Sequence, residues 1–330
     1  MNAPHRLLPP ALRPPLRPAL AVSVSSLPRG ADLAYEPKFD GHRMLVFRDS
    51  GPGGAPEVLL QARSGRIVTA AFPDLAAAAR RLPPGTVLDG EVVVWRDGRT
   101  DFAAVQKRAT ATAQHAPELA RALPASYAAF DLIAEAGTDL RARAYRYRRE
   151  RLVALLEPLG PPLQAVPMTL DAEEAADWYE ALPAIGVEGL VAKHLGRTYR
   201  SGARTWQKLR HTTLRDAAVT GHTGPATGPR SLVVVLRGGD GTPVVSAPLS
   251  PAVRAQAAAA LPPGTAGPEG RATAAGLGEI GYRRLEPGLV AEVEVRTTRH
   301  ATVTVVRLRL PQDTDAGADG DGDGDGDGEG

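Results

Sequence analysis

The sequence contains no cysteine, which excludes a disulfide framework, a thiolate zinc site, an iron–sulfur cluster and any cysteine nucleophile. It has no apolar run near the roughly 20 residues that a bilayer helix needs, so a helical membrane span is excluded as well. The seven histidines show no His-Glu-x-x-His or other metal-ligand spacing. Helical continuity is missing from the first thirty residues, where Pro9, Pro10, Pro14, Pro15, Pro18 and Pro28 recur. Those prolines forbid the core of a signal peptide and predict an extended lead-in over 1–30, hence a cytoplasmic protein.

What is present fits a folded two-domain chain: 330 residues, 43% hydrophobic and 23% charged. The formal net charge of +2 hides an asymmetry. From Asp313 onward the chain is a near-regular Asp-Gly alternation with seven Asp, one Glu and only two alanines to bury, which predicts a disordered acidic tail over 312–330. Without those eight acids the body carries 39 basic residues against 29 acidic ones, about +10. Such a body favours a polyanionic partner, nucleic acid first. An arginine- and alanine-rich proteome gives the same number, so charge alone does not separate the two. The tail lacks the spacing of a calcium loop and reads as a solvated acidic segment that competes with a polyanionic partner for the basic body.

Between 34 and 210, period-two or short apolar runs predict strands at 43–48, 58–62, 87–95, 127–133 and 189–194. Helical periodicity lies between them at 74–81, 147–156 and 172–182, the last capped by Asp171. This is an α+β domain over 31–211 built on antiparallel sheet. After Arg210, strands at 217–222, 231–237, 242–247, 289–296 and 302–310 are interrupted by one alanine-rich helix at 251–261. Five strands and one helix over 212–311 suit a small barrel of the OB type, with 223–229 and 262–278 as its loops.

The segment Glu36-Pro37-Lys38-Phe39-Asp40-Gly41-His42-Arg43 carries the most chemistry. A lysine in a tight Lys-x-Asp-Gly loop before a strand, with an arginine close behind, can be held beside a bound anion. To act as a nucleophile its ammonium, near pKa ~10.4 when unperturbed, has to be depressed by burial or neighbouring cations. Taken alone the pattern is common in surface turns. It is followed, however, by Arg63-Ser64-Gly65, by Leu88-Asp89-Gly90-Glu91, by Phe130-Asp131, by Glu188-Gly189-Leu190-Val191-Ala192-Lys193, and by Trp206-Gln207-Lys208-Leu209-Arg210. Asp101-Phe102 leading to Gln106, and Tyr199-Arg200-Ser201-Gly202, add detail.

This ordered set resembles the covalent nucleotidyltransferases, and among them the bacterial ATP-dependent DNA ligases of the LigC/LigD type, across nearly the whole chain. The resemblance implies a nucleotidyltransferase domain followed by an OB-fold domain, with ATP and Mg²⁺ as cofactors. Lys38 is then the residue that takes AMP from ATP. Glu36, Arg43 and Arg63 become nucleotide contacts; Glu91 and Glu188 touch ribose or hold Mg²⁺; Phe130 stacks on adenine, although ordinary strand core explains that ring nearly as well. Lys193 and Lys208 neutralise the α-phosphate. Arg210 stands where the family usually has a second lysine, and the C-terminal motif is stretched, leaving Arg309 to orient pyrophosphate. His42 and His194 flank the cleft without a proton-transfer duty.

The expected partner is nicked double-stranded DNA, gripped through phosphates without base readout by a monomer that has no membrane contact. Any end-joining or repair proteins are separate chains. Two rival readings stay open: an RNA ligase or GTP-using capping enzyme, and a nucleic-acid-binding scaffold without activity.

Overall fold

The computed structural model describes residues 7–51, 55–261, 267–274, 278–296 and 303–309. The predicted acidic tail lies outside these residues. The chain divides into two compact units, Met1–His211 and Thr212–Gly330.

The first unit holds two sheets. After a 3-10 turn at Pro10–Leu12 come β1 (Leu20–Ser23), β2 (Leu33–Phe39), β3 (His42–Ser50) and β4 (Pro56–Ala62). Next are α1 (Pro73–Ala79), β5 (Thr86–Arg96), β6 (Arg99–Thr100), α2 (Phe102–Ala109), α3 (Ala116–Ala122), β7 (Ala125–Glu135) and β8 (Thr138–Asp139). The unit ends with α4 (Tyr145–Leu156), β9 (Leu163–Ala165), α5 (Ala172–Ala181), β10 (Val187–His194) and β11 (Arg204–Arg210). Strands β4-β3-β5-β7-β8 form the large sheet, with β6 on β5 and β9 on β7, while β1-β11-β10-β2 form the small one.

Strand alternation divides the labour of each sheet. On the large sheet Met44, Val46, Leu88, Val92 and Val94 turn to one face and pack under α1, α2 and α4. The residues between them, Leu45, Phe47 and Val87, turn to the other face and meet Trp206 and Val191 of the small sheet. On the small sheet Tyr35, Leu190 and Ala192 face outward to α5. The two inner faces therefore enclose a layer lined at one part by apolar side chains and at another by charged ones. Asp171 caps α5 as predicted, accepting from the Glu173 amide.

Two readings of the sequence change here. The Lys-x-Asp-Gly segment is not a loop throughout, because Lys38 lies inside β2 and only Asp40-Gly41 turns the chain into β3. A Cβ at Gly41 would collide with the Val92 carbonyl oxygen, so this close crossing of the sheets demands glycine. The proline-rich lead-in is extended but not free. Leu8, Leu12, Leu16 and Ala19 are buried between the sheets with Phe47, Ile133 and Trp206. At ~1.5–3 kcal/mol for each fully buried leucine, this strap is an integral part of the core.

In the second unit β12 (Thr212–Thr223), β13 (Ser231–Leu236), β14 (Val244–Val245), α6 (Pro251–Ala260), β15 (Glu269–Ala274), β16 (Gly278–Arg296) and β17 (Val303–Arg309) follow one another. Strands β12 to β16 pair in sequence order, and β12 pairs again with β16, closing a five-stranded barrel of the OB type; β17 adds to β16 outside that ring. The ring strand β15 falls in the stretch expected to be loop. Its inward positions are Gly270, Ala272 and Ala274, so the alternation is present without any large apolar residue to announce it. The Tyr282 ring opposite fills the space that their small side chains leave.

Candidate active site

The charged part of the inner layer is assembled by alternation. Glu36 and Lys38 alternate on β2, Lys193 lies on β10, Trp206, Lys208 and Arg210 alternate on β11, and Arg43, Asp89 and Glu91 come from β3 and β5.

Lys38 is the amine at the more open end. Its Nζ contacts the Glu188 carboxylate, with the two side chains 22% and 5% exposed. Glu188 reaches it because the β10 register slips between Val187 and Leu190. At that slip Gly189 has φ +146°, and a Cβ there would collide with the Leu209 carbonyl oxygen. Arg210 Nε lies 3.6 Å from the same Glu188 oxygen and has no hydrogen-bond acceptor among the described residues. Burial pulls the Lys38 ammonium down to about 8; the Glu91 and Asp40 carboxylates resist this, while Arg210 and Lys208 add to it. The Glu188 contact also favours the charged form, so the amine is poised rather than fully neutral. Burial pushes the Glu91 carboxyl up to about 7 against the pull of Lys38 and Arg43.

Lys193 is the closed end. Its Nζ is 2.6 Å from a Glu36 carboxylate oxygen and donates to the Phe130 carbonyl at 2.7 Å. Three rings surround it, with centroids at 4.5 Å (Trp206), 4.7 Å (Tyr145) and 4.8 Å (Phe130). Glu36 in turn accepts from the Tyr145 hydroxyl and lies 3.8 Å from Arg149. Burial lowers the Lys193 pKa, with Glu36 and Asp131 opposing, and it drives the Tyr145 phenol well above its usual value.

Between these ends Arg43 grips Asp89 with two hydrogen bonds, 3.0 and 2.6 Å, and covers Phe130 and Trp206 at 5.3 and 5.1 Å. Tyr199 donates to the same carboxylate at 2.7 Å and accepts the Ala19 amide at 2.9 Å. Burial alone would depress the Arg43 pKa, but Asp89 holds it above the ordinary value.

The structure thus gathers Glu36, Lys38, Arg43, Glu91, Phe130, Glu188, Lys193, Lys208 and Arg210 into one layer. Arg63 is exposed in the turn after β4 and makes no contact with them among the described residues. The Phe130 ring meets Trp206 edge-on at 5.7 Å and is flanked by the Arg43 and Lys193 cations. Asp131, its motif partner, is fully buried and paired bidentately with Arg148 at 2.7 and 2.9 Å, which fixes α4 to the sheet. His42 bonds Gln106 at 3.0 Å, and His194 Nδ1 accepts the Gly196 amide. Arg309 lies in the second unit, 3.2 Å from Asp216. Sequence reasoning missed Tyr145 and Arg149; the available signal was the run of arginines in α4, too polar for a packed helix unless its buried members meet carboxylates.

Among the described residues no three acidic or histidine side chains cluster as a metal cage. Glu91 and Glu188, both acting on Lys38, nevertheless suit Mg²⁺, which takes one or two carboxylates and fills its remaining positions with water and substrate phosphate.

Comparison with known proteins gives this geometry a context. The family described as ATP dependent DNA ligase domain matches residues 18–210. DNA ligase C2 of Mycolicibacterium smegmatis is 37% identical over 233 residues, covering 69% of this chain and 64% of that protein. DNA ligase C of Mycobacterium tuberculosis is 34% identical over 230 residues, covering 68% and 62%. The chain thus spans less than two thirds of the length of these curated relatives. The crystal structure of the ligase domain from M. tuberculosis LigD superposes with a TM-score of 0.52 at 26% identity, covering 89% of this chain and 95% of that domain. With the motif lysine, its carboxylates and its cations already in one layer, the match over most of the first unit decides the matter: this chain belongs to the ATP-dependent DNA ligase domain family.

Proposed function

We propose that the protein is an ATP-dependent DNA ligase that seals nicks in duplex DNA through AMP held on Lys38. The observation that carries this reading is Lys38 itself: an amine brought down to about 8 by burial, in contact with Glu188 and near Glu91, on the motif segment of a ligase family.

In the first step the Lys38 nitrogen lone pair attacks the α-phosphorus of ATP. A P–N bond forms, the bond to the bridging oxygen breaks, and pyrophosphate leaves with those electrons. Lys38 must shed its proton beforehand, which its lowered pKa allows near neutral pH. Lys208 and Arg210, the latter with a donor still unsatisfied, neutralise charge on the α-phosphate and the departing group. Lys193 is fixed by Glu36 and Phe130 on the same face and adds a cation that does not have to be recruited. Glu91 and Glu188 would hold Mg²⁺, which supplies further neutralisation of phosphate charge. Arg43, locked on Asp89, and the Phe130 ring contact the nucleotide. A 5′-phosphate oxygen then displaces Lys38 and takes the AMP, and a 3′-hydroxyl displaces AMP to close the strand.

In this reading the adenylation machinery occupies 31–211 and the OB-fold follows over 212–311. The enzyme works as a monomer on DNA in a bacterial cytoplasm. Mass spectrometry of the purified protein before and after ATP tests it: one AMP-sized adduct on Lys38, absent from Lys38→Ala, is expected. Label retained from GTP and not from ATP would sink the reading in favour of a capping-type enzyme.

A further inference from the structure

Three stretches of the sequence contain no acidic residue: 1–31, 58–73 and 189–215. The fold lays parts of all three side by side. The strap is clasped at Leu16, whose amide donates to the Gln61 side chain at 2.8 Å and whose carbonyl accepts from it at 2.7 Å. Pro15 touches the turn after β4, 3.5 Å from where a Cβ on Gly65 would stand. On the other flank the Gly202 amide donates to the Pro18 carbonyl at 3.1 Å, Arg17 Cδ lies 3.8 Å from the Cβ position of Gly202, and Leu20 pairs with Arg204.

Arg17, Arg66, Arg200 and Arg204 are all exposed in this region and have no hydrogen-bonded or ion-paired side-chain partner among the described residues. Other arginines of the unit are committed to carboxylates, as Arg108 is to Asp74, Arg148 to Asp131 and Arg151 to Glu135. Asp139, which the Tyr199–Arg141 backbone bond brings near, is already occupied by Arg141 at 2.7 Å. Four unneutralised guanidinium groups on and beside a strap anchored by buried leucines, with no acidic residue in their own stretches of sequence, concentrate positive charge that suits a polyanion.

We propose that the strap and the two turns beside it form a rigid track for the phosphate backbone of duplex DNA. The proposal rests on the ligase reading, and it commits to DNA because β11 carries the line of cations from Arg204 on to Lys208 and Arg210 at the site. Guanidinium forks suit phosphate oxygens, and a pre-ordered strap spends no ordering entropy on binding.

The test compares the full chain with R17Q/R66Q/R200Q, none of which touches the site, in binding to a nicked duplex titrated against salt. Removing three phosphate contacts should reduce the slope of log affinity against log salt by about 2 to 3, and weaken binding about tenfold or more at low salt. Formation of the Lys38 adduct should be unchanged. The matched variant R80Q/K107Q/R121Q, on the helical side of the large sheet, loses the same charge and should move the slope far less. Wild-type affinity and slope in the strap variant, or an equal loss in the control, overturn the proposal. So does a strap variant that binds DNA as wild type does but no longer gains affinity when the tail after Pro311 is removed, since the occupant is then the Asp-Gly tail. An unsubstituted chain that takes no AMP from ATP sinks the ligase reading instead, and that failure is read without DNA.

Discussion

Lys38 and Lys193 face the same inner layer from neighbouring strands, and burial depresses both, yet their surroundings differ in kind. Lys193 is 2% exposed and held by a buried carboxylate, a carbonyl and three rings, all of them fixed parts of the fold. Lys38 is 22% exposed, and the carboxylates near it, Glu188 and Glu91, are those suited to a metal ion and a charged ligand. A nucleophile needs partners that can be drawn away, whereas an electrostatic anchor needs partners that cannot. The chemistry is therefore expected at the looser end and the rigidity at the tighter one.

The largest effect that could break this contrast comes from Lys38→Arg. The guanidinium keeps the charge but stays protonated, so adduct formation should fall by roughly 10⁴-fold or more at any pH, as followed by mass spectrometry. Appreciable adduct from that variant would move the nucleophile elsewhere.

At the closed end Glu36→Ala strands a buried ammonium, and about 3–5 kcal/mol should be lost in denaturant unfolding. Pairing it with Lys193→Met should restore much of that loss while leaving adenylation impaired. A mild single variant would show that Lys193 can find water, and the contrast between the two amines would shrink.

The pH dependence sharpens the same point. Lys38 must lose a proton with a pKa of about 8, and Glu91 must be ionised with a pKa of about 7. Single-turnover adenylation should therefore rise steeply below pH 7, rise about tenfold per unit between 7 and 8, and level off above 8. A profile already flat at pH 6 contradicts the poised amine.

The smallest change expected is from Tyr199→Phe, which removes one hydrogen bond to Asp89 and one from Ala19. About 1–2 kcal/mol of stability should go, with a modest rise in the ATP concentration needed for half-maximal adenylation, because Arg43 loses part of its support.

Much of the site is legible in the sequence because its members recur at strand spacing: Glu36 with Lys38, Asp89 with Glu91, Lys208 with Arg210. Alternation delivers each pair to one face whatever the details of the fold. The partners of Glu36 are not legible, since Tyr145 and Arg149 come from a helix more than a hundred positions away and only tertiary packing brings them in. The barrel strand Glu269–Ala274 is hidden for a different reason: its buried side chains are too small to register as apolar. The strap is hidden by its prolines, which exclude helix but say nothing about whether the leucines between them are buried.

The pairing of β1 with β11 has a consequence for how the molecule is made. Leu20 lies beside Arg204, and the two strands run parallel, so the first and last strands of the unit are neighbours. On the ribosome, the leucines near the start have no finished place to go until β11 has emerged. Contacts so distant along the chain favour slow folding, and the strap leucines stay uncovered until the last strand of the unit joins them.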